Sequence, residues 1–241
     1  MKLILGGGGS GEQTKIINEK LNELVDHNKG ILYIPLAMDE EKHSYDSCYE
    51  WIQDELSEVE VTNIDMVRTF EELSQKSLDD YTAIFIGGGN TYKLLKGLKE
   101  YSIVPLIINY LNNGGIVIGG SAGSVIFGKD IDIISIMDPN DVELKDTSGF
   151  NLLFGASIFP HYMNMKSKLT KKENDIRMNN FTKAITDFSL QIGPVYAIPE
   201  ENAVYFNGTD VDVIGSKNWF YFENGNKLEK EPDSAFEKEI K

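Results

Sequence analysis

Short apolar runs recur through the first half of the chain, at residues 2–5, 31–36, 59–64, 83–86 and 116–118, and the polar stretches between them carry apolar residues at helical spacing, such as Ile16, Ile17, Leu21 and Leu24. Runs this short suit buried strands, and the helical spacing suits helices with one buried face. Alternating strand and helix predicts β-α-β crossovers and an α/β fold, with a mostly parallel sheet covered by helices on both faces. In such a fold ligands bind outside the carboxyl ends of the strands. Glycine turns follow three of the runs, at Gly6 to Gly9, Gly87 to Gly89 and Gly119 to Gly123, so they are expected to converge on one crevice.

The pattern changes after Ser124. Residues 130–137 read as a strand, 138–149 as an acidic loop, and 156–159 as a strand running into Pro160-His161. Residues 171–188 read as a surface helix whose buried stripe is Ile176, Phe181, Ile185 and Phe188. Runs at 195–198, 203–206, 211–214 and 219–222, with turn signals such as Asn207-Gly208 and Asn224-Gly225, predict an antiparallel closing section near the C-terminus. Nothing marks a boundary, so residues 1–241 are expected to form a single domain, with 226–241 a charged and disordered tail.

Composition narrows the partners. A formal net charge of −15 argues against nucleic acid and anionic membrane surfaces, which call for clustered Lys and Arg, and favours a small ligand. Cys48 is the one cysteine, so no intrachain disulfide or cysteine metal cluster is expected, and a reducing compartment fits. The first apolar run is too short for a signal peptide and no stretch is long enough to span a bilayer, so the expected location is cytoplasmic.

The candidate chemistry centres on Ser121. Gly119-Gly120-Ser121-Ala122-Gly123 fits G-x-S-x-G at the end of a β-branched run, the pattern of a nucleophile elbow. Such a turn exposes the hydroxyl at a helix N-terminus, where leading amides favour the negative charge that develops in acyl transfer. A serine hydroxyl needs a base and a group to orient that base. Of the histidines, His27 ends a polar helix and His43 sits in a charged loop that, following the second strand, could reach the crevice, whereas His161 stands at a strand end behind Pro160, which makes it the candidate base. For the acid, Asp138, Asp141 and Asp146 lie between serine and histidine, while Glu200 and Glu201 follow Ile198-Pro199; spacing does not choose among them. The Ala122 N–H is one expected oxyanion donor and an amide of Gly87-Gly88-Gly89 the other; Gly87, Gly89 and Asn90 complete this close-approach turn as candidate substrate-binding residues.

These segments together resemble the peptidase E (aspartyl dipeptidase) family of serine peptidases. The likeness rests on Gly87-Gly88-Gly89-Asn90-Thr91-Tyr92-Lys93-Leu94-Leu95, the Ser121 pentapeptide, Phe159-Pro160-His161-Tyr162, Asn140-Asp141 ahead of Asp146-Thr147-Ser148-Gly149-Phe150, and Ile198-Pro199-Glu200, all in family order. The resemblance implies a flavodoxin-like, class I glutamine-amidotransferase-like fold, with Ser121 as nucleophile, His161 as base, and Gly88 and Ala122 as oxyanion donors. It offers both Asp141 and Glu200 as the acid, and needs no metal or organic cofactor. The family's E-T-R segment, suited to an acidic substrate side chain, is replaced here by Leu169-Thr170-Lys171-Lys172-Glu173-Asn174-Asp175-Ile176-Arg177, where a lysine or a shifted Arg177 would have to take the arginine's place, so aspartate specificity is left open.

The leading expectation is thus a serine exopeptidase acting on short peptides through an acyl-enzyme on Ser121, with a homodimer among the open assemblies. Two alternatives stand beside it. Gly6, Gly8 and Gly11 spell G-x-G-x-x-G after a strand, the pattern of a dinucleotide-binding protein, and a non-catalytic binding protein would keep the fold without turnover.

Overall fold

In the computed structural model of the chain, residues 1–233 are described. The strands are β1 (Lys2–Gly6), β2 (Gly30–Ile34), β3 (Ile64–Met66), β4 (Tyr81–Ile86), β5 (Ile116–Gly120), β6 (Ser157–Phe159), β7 (Val195–Ala197), β8 (Asn202–Phe206), β9 (Val211–Gly215), β10 (Trp219–Glu223) and β11 (Asn226–Lys230). The helices are α1 (Lys15–Leu24), α2 (Tyr45–Glu55), α3 (Phe70–Ser74), α4 (Thr91–Glu100), α5 (Ile103–Asn112), α6 (Ala122–Val125) and α7 (Lys171–Gln191).

A seven-stranded sheet in the order β3-β2-β4-β5-β1-β8-β9 forms the centre, parallel from β3 to β1 and antiparallel at β8 and β9. Period-two alternation sends side chains to opposite faces. Leu3 and Leu5 join one buried cluster with residues of α4 and α5, while Ile4 joins another with Ile17 and Leu21 of α1 and Ile52 of α2. Both faces of the sheet are therefore covered, as the near-continuous apolar strands require.

A second sheet, β11-β10-β7-β6, packs through the first of these clusters. The antiparallel closing section is present, but it is divided: β8 and β9 extend the central sheet, β7, β10 and β11 belong to the second, and β6 pairs with β7 in parallel. That parallel pair brings the chain out of both strands in the same direction.

Three expectations are corrected. Residues 130–137 hold no strand; Ile131–Ile134 is a short helical turn capped by the Asp130 side chain. Ile133 and Ile134 are both buried, and adjacent buried residues fit a turn pressed into the core better than a half-buried strand. The run at 59–64 serves as the approach to β3, with Val59 buried beneath the loop. In the expected tail, residues 226–230 form β11, joined to β10 by Asn224-Gly225 with both residues at positive φ, 49° and 76°. This strand is exposed along its length and held by its ladder, so it lacks the alternating apolar signal. Residues 234–241, the rest of that tail, lie outside the described residues.

Candidate active site

The strands β4, β5 and β1 are parallel neighbours, with Ile86 opposite Gly119 and Gly6 opposite Gly120. Their three glycine turns therefore leave the sheet side by side. Ser121 stands between them at φ 51° and ψ −109°, a conformation that costs a residue with a β-carbon of order 1–3 kcal/mol. Its N–H donates to Gly6 O at 3.2 Å, and Ser124 and Val125 N–H return to Ser121 O. The glycines around it are sterically required: a methyl on Gly119 would overlap the Gly123 carbonyl, and one on Gly123 would overlap the Ile86 carbonyl. Ala122 and Gly123 precede the first amides that bond back into the helix, so their N–H groups are its leading donors.

His161 and Glu200 come from the second sheet. Phe159 of β6 is opposite Ala197 of β7, so Pro160-His161 and Ile198-Pro199-Glu200 leave adjacent parallel strands together. Ile198 N–H donates to Phe159 O and Tyr162 N–H to Ile198 O, which ties the two exits to each other; His161 N–H donates to Gly7 O at 3.0 Å, which ties them to the central sheet. The Ser121 hydroxyl lies 2.8 Å from His161 Nε2, and His161 Nδ1 lies 2.8 Å from Glu200 Oε1. With Nδ1–H donating to the carboxylate, Nε2 is left as the acceptor for the serine hydroxyl. The carboxylate is held from its other side by Gln13, whose Nε2 donates to Glu200 Oε2 at 3.1 Å. The His161 bond, and then Gln13, keep the Glu200 carboxyl below its ordinary pKa against the opposing effect of burial. Whatever stability this confers is present above the ordinary carboxylate pKa and is lost as pH falls through the lowered value.

The tetraglycine turn has its use here. A methyl on Gly8 would overlap the imidazole, one on Gly7 would overlap the Pro199 carbonyl, and Gly9 faces Glu200 and Gln13. Backbone thus replaces side chain beneath the histidine and its acid. The loop that spells G-x-G-x-x-G packs against this chain's own imidazole and the Pro199 carbonyl, a role for its glycines that does not favour the dinucleotide reading.

The pattern defining peptidase family S51 matches residues 3–214 of the chain. The chain belongs to peptidase family S51. Among its relatives, the Peptidase E of Pasteurella multocida (strain Pm70) is 29% identical over 213 residues, covering 87% of this chain and 85% of that protein. The Peptidase E of Shewanella denitrificans is 30% identical over 209 residues, covering 85% and 82%. A solved Listeria monocytogenes EGD-e structure, provisionally assigned as a peptidase E protein, superposes with a TM-score of 0.69 at 24% identity, covering 90% of this chain and 98% of that one; the likeness is one of fold. A peptidase from an acI-B1 Actinobacterium superposes with a TM-score of 0.62 at 19% identity. Family membership makes the chain a peptidase, a hydrolase, as the sequence resemblance implied.

Within this S51 framework the other expected site residues fall into different positions. Gly88 adjoins the serine, since a methyl there would lie 3.3 Å from Ser121 Cβ. Gly87 donates its N–H to Ile34 O, and Gly89, at φ 138°, sits against the Ala37 carbonyl. Asn90 caps α4, accepting from Lys93 N–H and donating to Pro139 O, so both ends of its side chain are engaged. Of the acids, Asp138 accepts from the Thr91 N–H and hydroxyl, Asp146 pairs with Lys99 and is lowered to about 2, and Asn164 bonds Glu201. Asp141 is exposed in a neighbouring cavity with Asp39, Lys42 and Asn90, while the contact to His161 Nδ1 is made by Glu200. His27 bonds Glu60 O far from the serine. Gln13 and Asn164, whose Oδ1 receives Glu200 N–H, were invisible in the sequence because no local pattern links them to residue 200.

Two cavities meet His161. One, of about 500 Å³, opens over Ser121 and is lined by Tyr33, Trp51, Phe85, Met38 and Cys48 together with the glycine turns. The other, of about 550 Å³, is lined by Lys166, Arg177 and Glu173 with Ile136, Ile176 and Phe181. Of the basic residues in the divergent segment, Lys171 and Lys172 are exposed, whereas Arg177 lies beside this second cavity, stacked over Phe181 at 4.5 Å and donating to Asn164 O. Among the described residues no group of three or more His, Cys, Asp or Glu is arranged to hold a metal ion. No described helix is long and apolar enough to cross a membrane.

Proposed function

We propose that the chain is a serine dipeptidase in which Ser121, His161 and Glu200 act as a catalytic triad at a nucleophile elbow. The observation that carries this reading is the continuous line from hydroxyl to imidazole to carboxylate, with 2.8 Å at each link. Ser121 Oγ attacks the scissile carbonyl carbon as its proton passes to His161 Nε2. The carbonyl oxygen, now negative, is met by the amides of Gly88 and Ala122. His161 then returns the proton to the departing amine, the C–N bond breaks and an acyl-serine remains. Water gives a proton to the same nitrogen, attacks the ester and frees the acid and the hydroxyl. Glu200 holds the tautomer and stabilises the imidazolium in both halves. Asp141 has no part in this line. Gly87 and Gly89 shape the close approach to the substrate, and Asn90 fixes that turn by capping the helix behind it. A lone cysteine supports a cytoplasmic setting.

The reading is tested by incubating the protein with a panel of unblocked dipeptides and following release of both free amino acids. Turnover of at least one member, without added metal and insensitive to chelator, is expected; a panel left intact under conditions where the protein stays folded contradicts it.

A further inference from the structure

The cavity over Ser121 differs from its surroundings in charge. In a chain of net charge −15, none of its lining residues is Lys, Arg, Asp or Glu. Three rings form its inner wall. Tyr33 and Phe85 lie 5.8 Å apart, Phe85 and Trp51 6.0 Å, and Tyr33 and Trp51 6.3 Å, in tilted and edge-on arrangements. Phe85 reaches the serine's own turn, since a methyl on Gly120 would touch its ring at 3.7 Å. Trp51, on α2, lines the same cavity and keeps 37% of its surface exposed. The inner end also carries a polar group. Tyr33 is 2% exposed and its hydroxyl faces Gly87.

We propose that this cleft is a substrate subsite for a large apolar, preferentially aromatic, side chain flanking the scissile bond, so that the preferred substrates are dipeptides containing such a residue rather than an acidic one. The assignment rests on the Ser121 peptidase reading for the position of the scissile carbonyl, and on the ring cluster for the side chain beside it. A carboxylate placed here would be desolvated against three rings with no Lys or Arg in the lining to meet it, the lining's only imidazoles being His43 at the exposed side and the His161 base. An aromatic ring would complete the edge-on cluster and cover Trp51. The Lys166 and Arg177 cavity lies on the other side of His161 and leaves this cleft neutral.

The test compares Phe-Ala, Ala-Phe, Asp-Ala and Ala-Ala. One of the two phenylalanyl dipeptides is expected to exceed Ala-Ala in kcat/KM by about tenfold or more, and Trp51→Ala to bring that ratio down to within about threefold. Ser47→Glu, which places a charge at an exposed position on the cleft, is expected to reduce the same advantage without touching the core. Binding is read separately in a Ser121→Ala, Trp219→Phe protein, where Trp51 is the one remaining tryptophan. The favoured phenylalanyl dipeptide should change its fluorescence saturably, and Asp-Ala should not. Fluorescence binding without wild-type hydrolysis would sink the peptidase reading and leave the subsite standing. Hydrolysis of small dipeptides with no aromatic preference, or a preference untouched by both cleft variants, would overturn the subsite and leave the peptidase standing.

Discussion

Ser121→Ala is expected to lower kcat for dipeptide hydrolysis by about 10⁶-fold, the scale on which loss of a serine nucleophile acts, with the melting temperature within a degree or two of wild type. Both halves follow from local geometry. The hydroxyl's one side-chain partner is His161 Nε2, so its removal deletes the attacking atom and leaves no buried polar group stranded, because the imidazole side chain keeps 23% of its surface exposed. Alanine also retains the β-carbon, so the cost of holding φ 51° and ψ −109° is the same in both proteins. The residual rate would come from the amides around the carbonyl oxygen. Turnover within tenfold of wild type would place the nucleophile elsewhere.

Glu200→Gln and Asp141→Asn are expected to separate by nearly as much. The amide is close in size to the carboxylate, so packing is kept, but it no longer carries the charge that stabilises the imidazolium or selects the tautomer with Nδ1–H toward residue 200; kcat should fall about 10⁴-fold. Asp141→Asn should stay within a few-fold of wild type, since that side chain is exposed and in a different cavity. The pH profile of the wild type gives an independent check on sign. The His161 bond holds the Glu200 carboxyl below its ordinary pKa, so the carboxylate persists below the pH at which a free glutamate would protonate. Equal losses in the two variants would mean that the 2.8 Å contact is not the working one.

Much of this was legible in the sequence, and the reasons differ by element. The alternation of short apolar runs and helix-spaced segments specified the central sheet because its inner strands are largely buried on both faces, as Ile31 to Ile34 are. Gly119 and Gly123 betrayed the Ser121 turn because only glycine clears the carbonyls that face them. Pro160 and Pro199 marked strand ends, yet no spacing rule says that the strands before them are parallel neighbours, and that pairing is what brings Glu200, and not Asp141, against His161. The letters of the tetraglycine fit a phosphate loop only as an alternative; the imidazole and proline that lie against its backbone come from residues more than 150 positions away in the chain. Likewise the aromatic cleft gathers Tyr33 from β2, Trp51 from α2 and Phe85 from β4, ordinary core-like positions until the fold leaves one side of them open.

The central claim is that the Ser121 hydroxyl is made nucleophilic by the His161–Glu200 pair. Its most direct measurement is treatment of wild type and His161→Gln with a fluorophosphonate, followed by peptide mass mapping. The account predicts one adduct per wild-type chain, located on Ser121, and essentially none in the same time in His161→Gln. An adduct on another residue, or equal labelling of Ser121 in both proteins, would contradict it.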